Sequence, residues 1–277
     1  MTRSAEGRVF LATGATGAIG GAAAEGLARS GATVVLLVRD AARAADVANR
    51  VEGAGGHAEL LVGDLARPDS LRSAVSAFLR THDRLDGLLN SAAVMVRRRS
   101  TTPEGLESMF ATNHLGPFLL TGLLLPVLEA AAPARVLTVS APSTVRVDLT
   151  DLQSEGRFRW SRTFGMTKTA NLLFTFALAR RLDPSRVTAN AFHPGLVRSD
   201  LTREMPGPVR AVLRSVSSSP SKAGAAITEL LTSAAFAGVT GRFFRGTKAI
   251  DPPAASQDEA TQEGLWRQSE RLSGLAW

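Results

Sequence analysis

A chain of 277 residues, 44% hydrophobic and 21% charged, is long enough for one sizeable α/β domain and too apolar to remain disordered. It has no cysteine, hence no disulfide and no thiolate nucleophile, and its four scattered histidines offer no metal-ligand spacing, so no metal site is expected. The net charge of +7 is carried by dispersed arginines, with only Lys168, Lys222 and Lys248 as lysines and Arg97-Arg98-Arg99 as the one run, a pattern that does not point to a nucleic-acid partner.

The elements alternate from the start. Val9 to Ala12 reads as a short strand, followed by a glycine-rich turn and an alanine-rich helix from Ile19 to Arg29. Thr33 to Val38 (TVVLLV) is a continuous β-branched run, the pattern of a strand buried on both faces. A helix over 41–51, a strand over 58–62, a helix over 69–79 and a strand over 85–89 follow, then a long helix over 104–131, begun by Pro103 and kinked near its end by Pro126. Residues 135–139 form a fifth strand, 167–181 a helix, 187–192 a sixth strand, 222–232 a last core helix and 242–244 a short closing strand.

Strands alternating with helices predict a single-domain α/β fold, a Rossmann-type doubly wound parallel sheet. Residues 141–163 and 195–220 are the two long connections after strands, at the edge where open α/β sheets bind ligands, and 195–220 reads as a substrate lid. The tail, 251–277, carries Leu265, Trp266 and Leu272 and packs either on its own core or on a neighbour. The opening MTRSAEGRVF has no apolar segment before the first strand, and the apolar stretch Phe118 to Leu128 is short and interrupted by Pro126. No membrane span is expected, and a soluble cytoplasmic protein follows.

The chemistry begins at TGATGAIG (13–20), between the first strand and the first helix. Gly14, Gly17 and Gly20, with Thr16 and Ile19 between them, allow a tight turn and close approach of a pyrophosphate to the helix N-terminus. The second strand ends at Arg39, with Asp40 one residue later; an arginine there suits a ribose 2′-phosphate, so the expected cofactor is NADP(H).

These residues resemble the short-chain dehydrogenase/reductase family, retinol dehydrogenase-like branch, over nearly the whole chain. The likeness rests on TGATGAIG (13–20), Gly63-Asp64-Leu65, LNSAAVM (89–95), FATNHLGPFLLT (110–121), RVLTVSAPS (135–143), DLQSEGRF (151–158), TKTANLLF (167–174) and FHPGLVRSDL (192–201). It implies that Asp64 and Leu65 lie beside the adenine, Asn90 and Ala92 line the cofactor trough, and Pro194, Gly195 and Val197 flank the nicotinamide. It further implies that Lys168 binds the nicotinamide ribose and that Asn113 holds a water chain reaching that lysine. A lipophilic or polycyclic small-molecule substrate follows from the same analogy, with lid residues Leu196, Val197, Leu201, Met205 and Val209, and the family also admits a homo-oligomer.

The pattern fails at two hydroxyls. The family's proton donor is a tyrosine four residues before the lysine, and here that position is Phe164; the chain contains no tyrosine at all. The family's serine near the end of the fifth strand falls on Ala141, between Ser140 and Ser143. Milder departures are Ala18 in the glycine loop and Ser91 and Ala93 in the fourth-strand motif. A positioned general acid contributes about 10²- to 10⁴-fold, so the usual tyrosine relay is closed. Thr163, Thr167, Ser140, Ser143, His114 and His193 are the nearby substitutes by sequence. Four readings follow: an oxidoreductase of unusual mechanism; a non-redox cyclase, dehydratase or isomerase on this scaffold; a catalytically silent binding protein; or a chain in which both hydroxyls were removed deliberately.

Overall fold

The computed structural model describes residues 5–197 and 219–277. Strands β1 (Val9–Thr13), β2 (Thr33–Val38), β3 (His57–Val62), β4 (Gly87–Asn90), β5 (Ala134–Val139), β6 (Val187–His193), β7 (Phe243–Arg245) and β8 (Lys248–Ile250) form one sheet in the order β3-β2-β1-β4-β5-β6-β7-β8. Every pair is parallel except β7–β8. Between them run helices α1 (Ala18–Arg29), α2 (Ala41–Gly53), α3 (Pro68–Leu79), α4 (Ser108–Ala130), α5 (Trp160–Arg181), α6 (Pro220–Thr232) and α7 (Glu259–Ser273).

Burial on both faces explains why TVVLLV is apolar throughout. Val34, Leu36 and Val38 point into a core with α1, α2 and α6, whereas Val35 and Leu37 point into a second core with α3, α4 and α5. Strand order reverses at β1/β4, so the loops after these two strands part to opposite sides and leave a crevice at the carboxyl edge.

Three elements differ from the sequence reading. Residues 104–107 are not helical: Gly105 turns with φ +81°, and the buried Glu107 carboxylate caps α4 by accepting from Met109 N (3.0 Å) and Phe110 N (2.7 Å). Helix α4 then contains one wider π-helical turn, Ala111–Leu115, and runs on through Pro126. It is 23 residues long and apolar enough to cross a membrane by length and composition, which corrects the shorter span read from Phe118 to Leu128. Two thirds of its most apolar window is buried inside the fold.

Helix α5 begins at Trp160, seven residues before its sequence-read start at 167, because Gly165 and the threonines around it weaken the local helical signal while docking on β5 and α4 holds the turn. β8 pairs antiparallel with β7 after a tight turn and was not anticipated. The tail packs on its own chain: Trp266 and Trp277 meet at 4.7 Å between ring centroids and both contact Phe118, and the Arg181 guanidinium lies 4.1 Å from the Trp266 ring. Of the lid, residues 198–218, including Leu201, Met205 and Val209, lie outside the described residues.

Candidate active site

The buried hydroxyl of Thr13, at the end of β1, accepts from Ser91 N (2.9 Å) and Ala92 N (3.1 Å) and donates to Leu89 O (3.3 Å). One side chain thus ties together the loops after the two central strands. Sequence reading took Thr13 only as the first letter of a motif; a β-branched hydroxyl immediately before the turn glycine was the available signal. Gly14 has φ +69°, and a Cβ on it would stand 2.7 Å from Ala92 Cα. A Cβ on Gly20 would stand 2.4 Å from Gly14 O, so helix and turn touch backbone to backbone. Thr16 and Gly17 are exposed, Ile19 is half-buried, and Gly17 caps α1 with no side-chain hydrogen bond to the first-turn amides.

At the end of β2, Arg39 is exposed. Asp40 is committed elsewhere: its Oδ1 accepts from Ala42 N (2.9 Å) and Arg43 N (3.4 Å), capping α2. Asp64 Oδ1 accepts from Ala66 N (2.9 Å), while its own amide donates to Ser70 Oγ (3.0 Å). Leu65 is buried among α3 and α4 residues, and Asn90 is buried with its Nδ2 donating to Thr121 Oγ1 on α4 (3.1 Å). Both side chains turn inward, so what these two positions present at the carboxyl edge is backbone. At the end of β6, Pro194, Gly195 (φ +74°) and Val197 are half-buried.

Beside this edge sits Lys168. Helix α5 is pinned to β5 by Ser140 Oγ, which donates to Lys168 O (2.7 Å). Phe164 lies one turn earlier on the same helical face, and Lys168 Nζ stands 5.4 Å from its ring centroid. Among the described residues the only other polar contact of the amine is Val139 O at 3.5 Å, and the residue is 6% exposed. No carboxylate pairs with it among the described residues. Burial alone therefore pushes the amine down from 10.5 to about 8.

Asn113 lies in the π-helical turn of α4. Its Oδ1 accepts from Val94 N (2.7 Å), and its Nδ2 donates to Val94 O (2.9 Å) and to Thr167 Oγ1 (3.1 Å). The side chain is a clasp between the loop after β4, α4 and α5. Both its amide protons are engaged in these contacts.

The substitutes named from sequence fare unevenly. Thr167 Oγ1 donates to Phe164 O (2.8 Å), and Thr163 pairs with Ser154 (3.1 Å). Ser143 Oγ accepts from Val145 N (3.2 Å). His114 is fully buried among Phe110, Phe118 and Phe174, shares a hydrogen bond with Ser269 Oγ (2.9 Å), and burial takes it down to about 4. His193 is lowered by burial and by Arg245, and its Nδ1 accepts from Gly195 N (3.4 Å). It borders a cleft of about 300 Å³ that Pro194, Gly195 and Leu196, named from sequence, also line; Lys222 and Arg245 join it from α6 and β7, which no local sequence signal indicates.

The family profile for short chain dehydrogenases matches residues 8–208. The chain belongs to the short-chain dehydrogenase/reductase family of oxidoreductases. Among curated relatives it is 36% identical to human retinol dehydrogenase 14, over 97% of this chain and 87% of that one. It is 35% identical to human retinol dehydrogenase 13, over 97% and 85%. Among solved structures it matches an uncharacterised protein from Mycobacterium paratuberculosis with a TM-score of 0.77 at 29% identity, covering 99% of this chain and 97% of that one. The RhlG/NADP active-site complex of Pseudomonas aeruginosa matches at 0.73 and 25% identity, covering 95% and 99%.

In this short-chain dehydrogenase the buried amine carries a testable energetic signature. The folded-state value of Lys168 lies below its unfolded value of 10.5, so the folded protein binds fewer protons between pH 8 and 10.5 and the cost of burying the charge is present in full below pH 8. Lys168→Met is expected to raise the unfolding free energy at pH 7 by up to about 3 kcal/mol, and the gain should shrink as pH approaches 10.5. Urea denaturation at the two pH values measures it; equal gains at both would show that charge burial is not the cause.

Proposed function

We propose that this chain is an NADP(H)-dependent oxidoreductase acting on a carbonyl or alcohol of a lipophilic small molecule, by a mechanism with no tyrosine acid. The observation that carries the reading is the pairing of an uncapped α1 N-terminus behind Gly14 with an exposed Arg39 whose acidic neighbour, Asp40, turns one carboxylate oxygen to the first amides of α2. First-turn amides and the helix dipole suit a pyrophosphate. With one Asp40 oxygen held by the first amides of α2, the exposed Arg39 is the cationic group at the end of β2 for the adenosine ribose, and a guanidinium favours a 2′-phosphate over a bare hydroxyl. The residues present therefore fit a phosphorylated dinucleotide, and RhlG is named as a complex with NADP.

Once bound, the dinucleotide supplies or accepts the hydride. The chain's own residues do the rest: Gly14, Thr16, Gly17, Ile19 and Gly20 with the first turn of α1 hold the phosphates, and Arg39 selects the 2′-phosphate. Asp64, Leu65, Asn90 and Ala92 offer the edge of the trough, and Pro194, Gly195 and Val197 its far wall. Lys168 offers its ammonium to the ribose. The relatives named retinol dehydrogenase support a lipophilic alcohol or aldehyde as substrate, and exposed Leu196 adds an apolar surface next to Gly195. Phe164 and Ala141 stand where the family's proton donor and its orienting serine would be. Phe164 keeps the aromatic wall and removes the phenol.

Two outcomes test this reading. Arg39→Ala should weaken NADPH binding about tenfold or more while leaving NADH nearly unchanged, as read by nucleotide titration with fluorescence detection. Equal losses for both nucleotides would reject the 2′-phosphate assignment. Phe164→Tyr combined with Ala141→Ser should raise reductase turnover by at least about tenfold, within the range of a general acid. No gain across a broad carbonyl panel would show that the pocket is not aligned for hydride transfer.

A further inference from the structure

We propose that Lys168 itself is the proton donor of this site: its ammonium, held over the Phe164 ring, delivers the proton to the substrate oxygen. The inference rests on the oxidoreductase reading above and deepens it. Phe164 has nothing to give, and the hydroxyls nearby are committed or unsuited. Ser140 donates to Lys168 O and Thr167 to Phe164 O, Thr163 pairs with Ser154, and Ser143 and the buried, unpartnered Thr138 on β5 are neutral alcohols, far too weak as acids near pH 7.

The titratable groups on the packed elements do not compete. His114 on α4 is neutral, enclosed by aromatic rings and turned to Ser269 on α7. His193 at the end of β6 is pushed toward neutrality by burial and by Arg245 across the cleft. The other charged residues of α5, Arg162, Arg180 and Arg181, lie at its two ends, and Arg180 and Arg181 pair with Glu263 on α7. The loop after β5 brings Asp148 and Asp151, whose oxygens are bound within their own turns, Glu155, which pairs with Arg99, and the exposed Arg146, Arg157 and Arg159, while the buried Glu107 carboxylate is held by the first amides of α4. What is left beside Phe164 is a primary ammonium with one weak backbone contact, to Val139 O.

The balance is simple. In reduction a hydride from the reduced nicotinamide dinucleotide forms the C–H bond, the C=O π bond breaks onto oxygen, and oxygen takes one proton from Lys168 Nζ. The amine is left neutral and regains its proton from water. In oxidation the neutral amine takes the alcohol proton as hydride leaves carbon. Desolvation brings the amine to about 8, close enough to working pH to exchange a proton in both directions. Reduction should therefore fall, and oxidation rise, as pH passes through about 8.

The test uses the full chain. With three lysines, protein labelled with ¹³Cε-lysine gives three resonances, assigned with Lys222→Arg and Lys248→Arg. The Lys168 resonance should titrate near pH 8 without nucleotide. Lys168→Arg keeps a positive charge that cannot be released below pH 12; it should bind NADP⁺ within a few-fold of wild type, lose at least about a hundredfold in kcat, and lose the pH 8 inflection. Lys168→Gln should lose the same step. Turnover kept by Lys168→Arg, or a Lys168 resonance titrating near 10.5, overturns the donor role alone. A wild-type chain that binds NADPH yet turns over no carbonyl overturns the oxidoreductase reading and the donor role together, whatever the titration gives.

Discussion

The docking of α5 against β5 is the contact on which the site depends. Ser140 at the end of β5 donates to the backbone carbonyl of Lys168, fixing the helix so that the lysine side chain is enclosed and, among the described residues, its amine meets Val139 O and the Phe164 ring. An unpaired ammonium in that position is costly. The fold tolerates it because the surrounding layers are rigid: two apolar cores clamp the sheet, and every residue of β2 after Thr33 is buried. A buried amine with no carboxylate partner among the described residues is the kind of strained group that a functional site keeps at a cost in stability.

Three hydrogen-bonded clasps hold the carboxyl edge around that amine. Thr13 joins the loops after β1 and β4, Asn113 joins the loop after β4 to α4 and α5, and Asp40 closes the start of α2. Each spends a polar side chain on architecture. The groups left over are the ones suited to binding: backbone at Gly14 and Gly195, the guanidinium of Arg39 and the amine of Lys168.

Much of this was legible in the sequence. TVVLLV gave β2 its bounds because burial on both faces removes any ambiguity of register, and the glycine loop marked the crevice because its contacts are local. The start of α5 was not legible, since residues 160–166 become helical through contacts with β5 and α4 rather than through their own propensity. Nor were the side-chain directions of Leu65, Asn90 and Asn113, which are decided by partners 19 to 54 residues away or pressed in from α4. The missing tyrosine was visible from composition alone. What the structure adds is the environment it leaves behind: an aromatic ring beside a buried amine.

The central claim is that this site moves a hydride without a phenol. Incubating the chain with NADPH deuterated at C4 and a panel of lipophilic aldehydes and ketones tests it most directly, by mass spectrometry of the product alcohols. The account predicts one deuterium on the former carbonyl carbon, transferred from one face of the nicotinamide only. Products formed without deuterium from either face, with NADPH bound throughout, would contradict it and assign the site to non-redox chemistry.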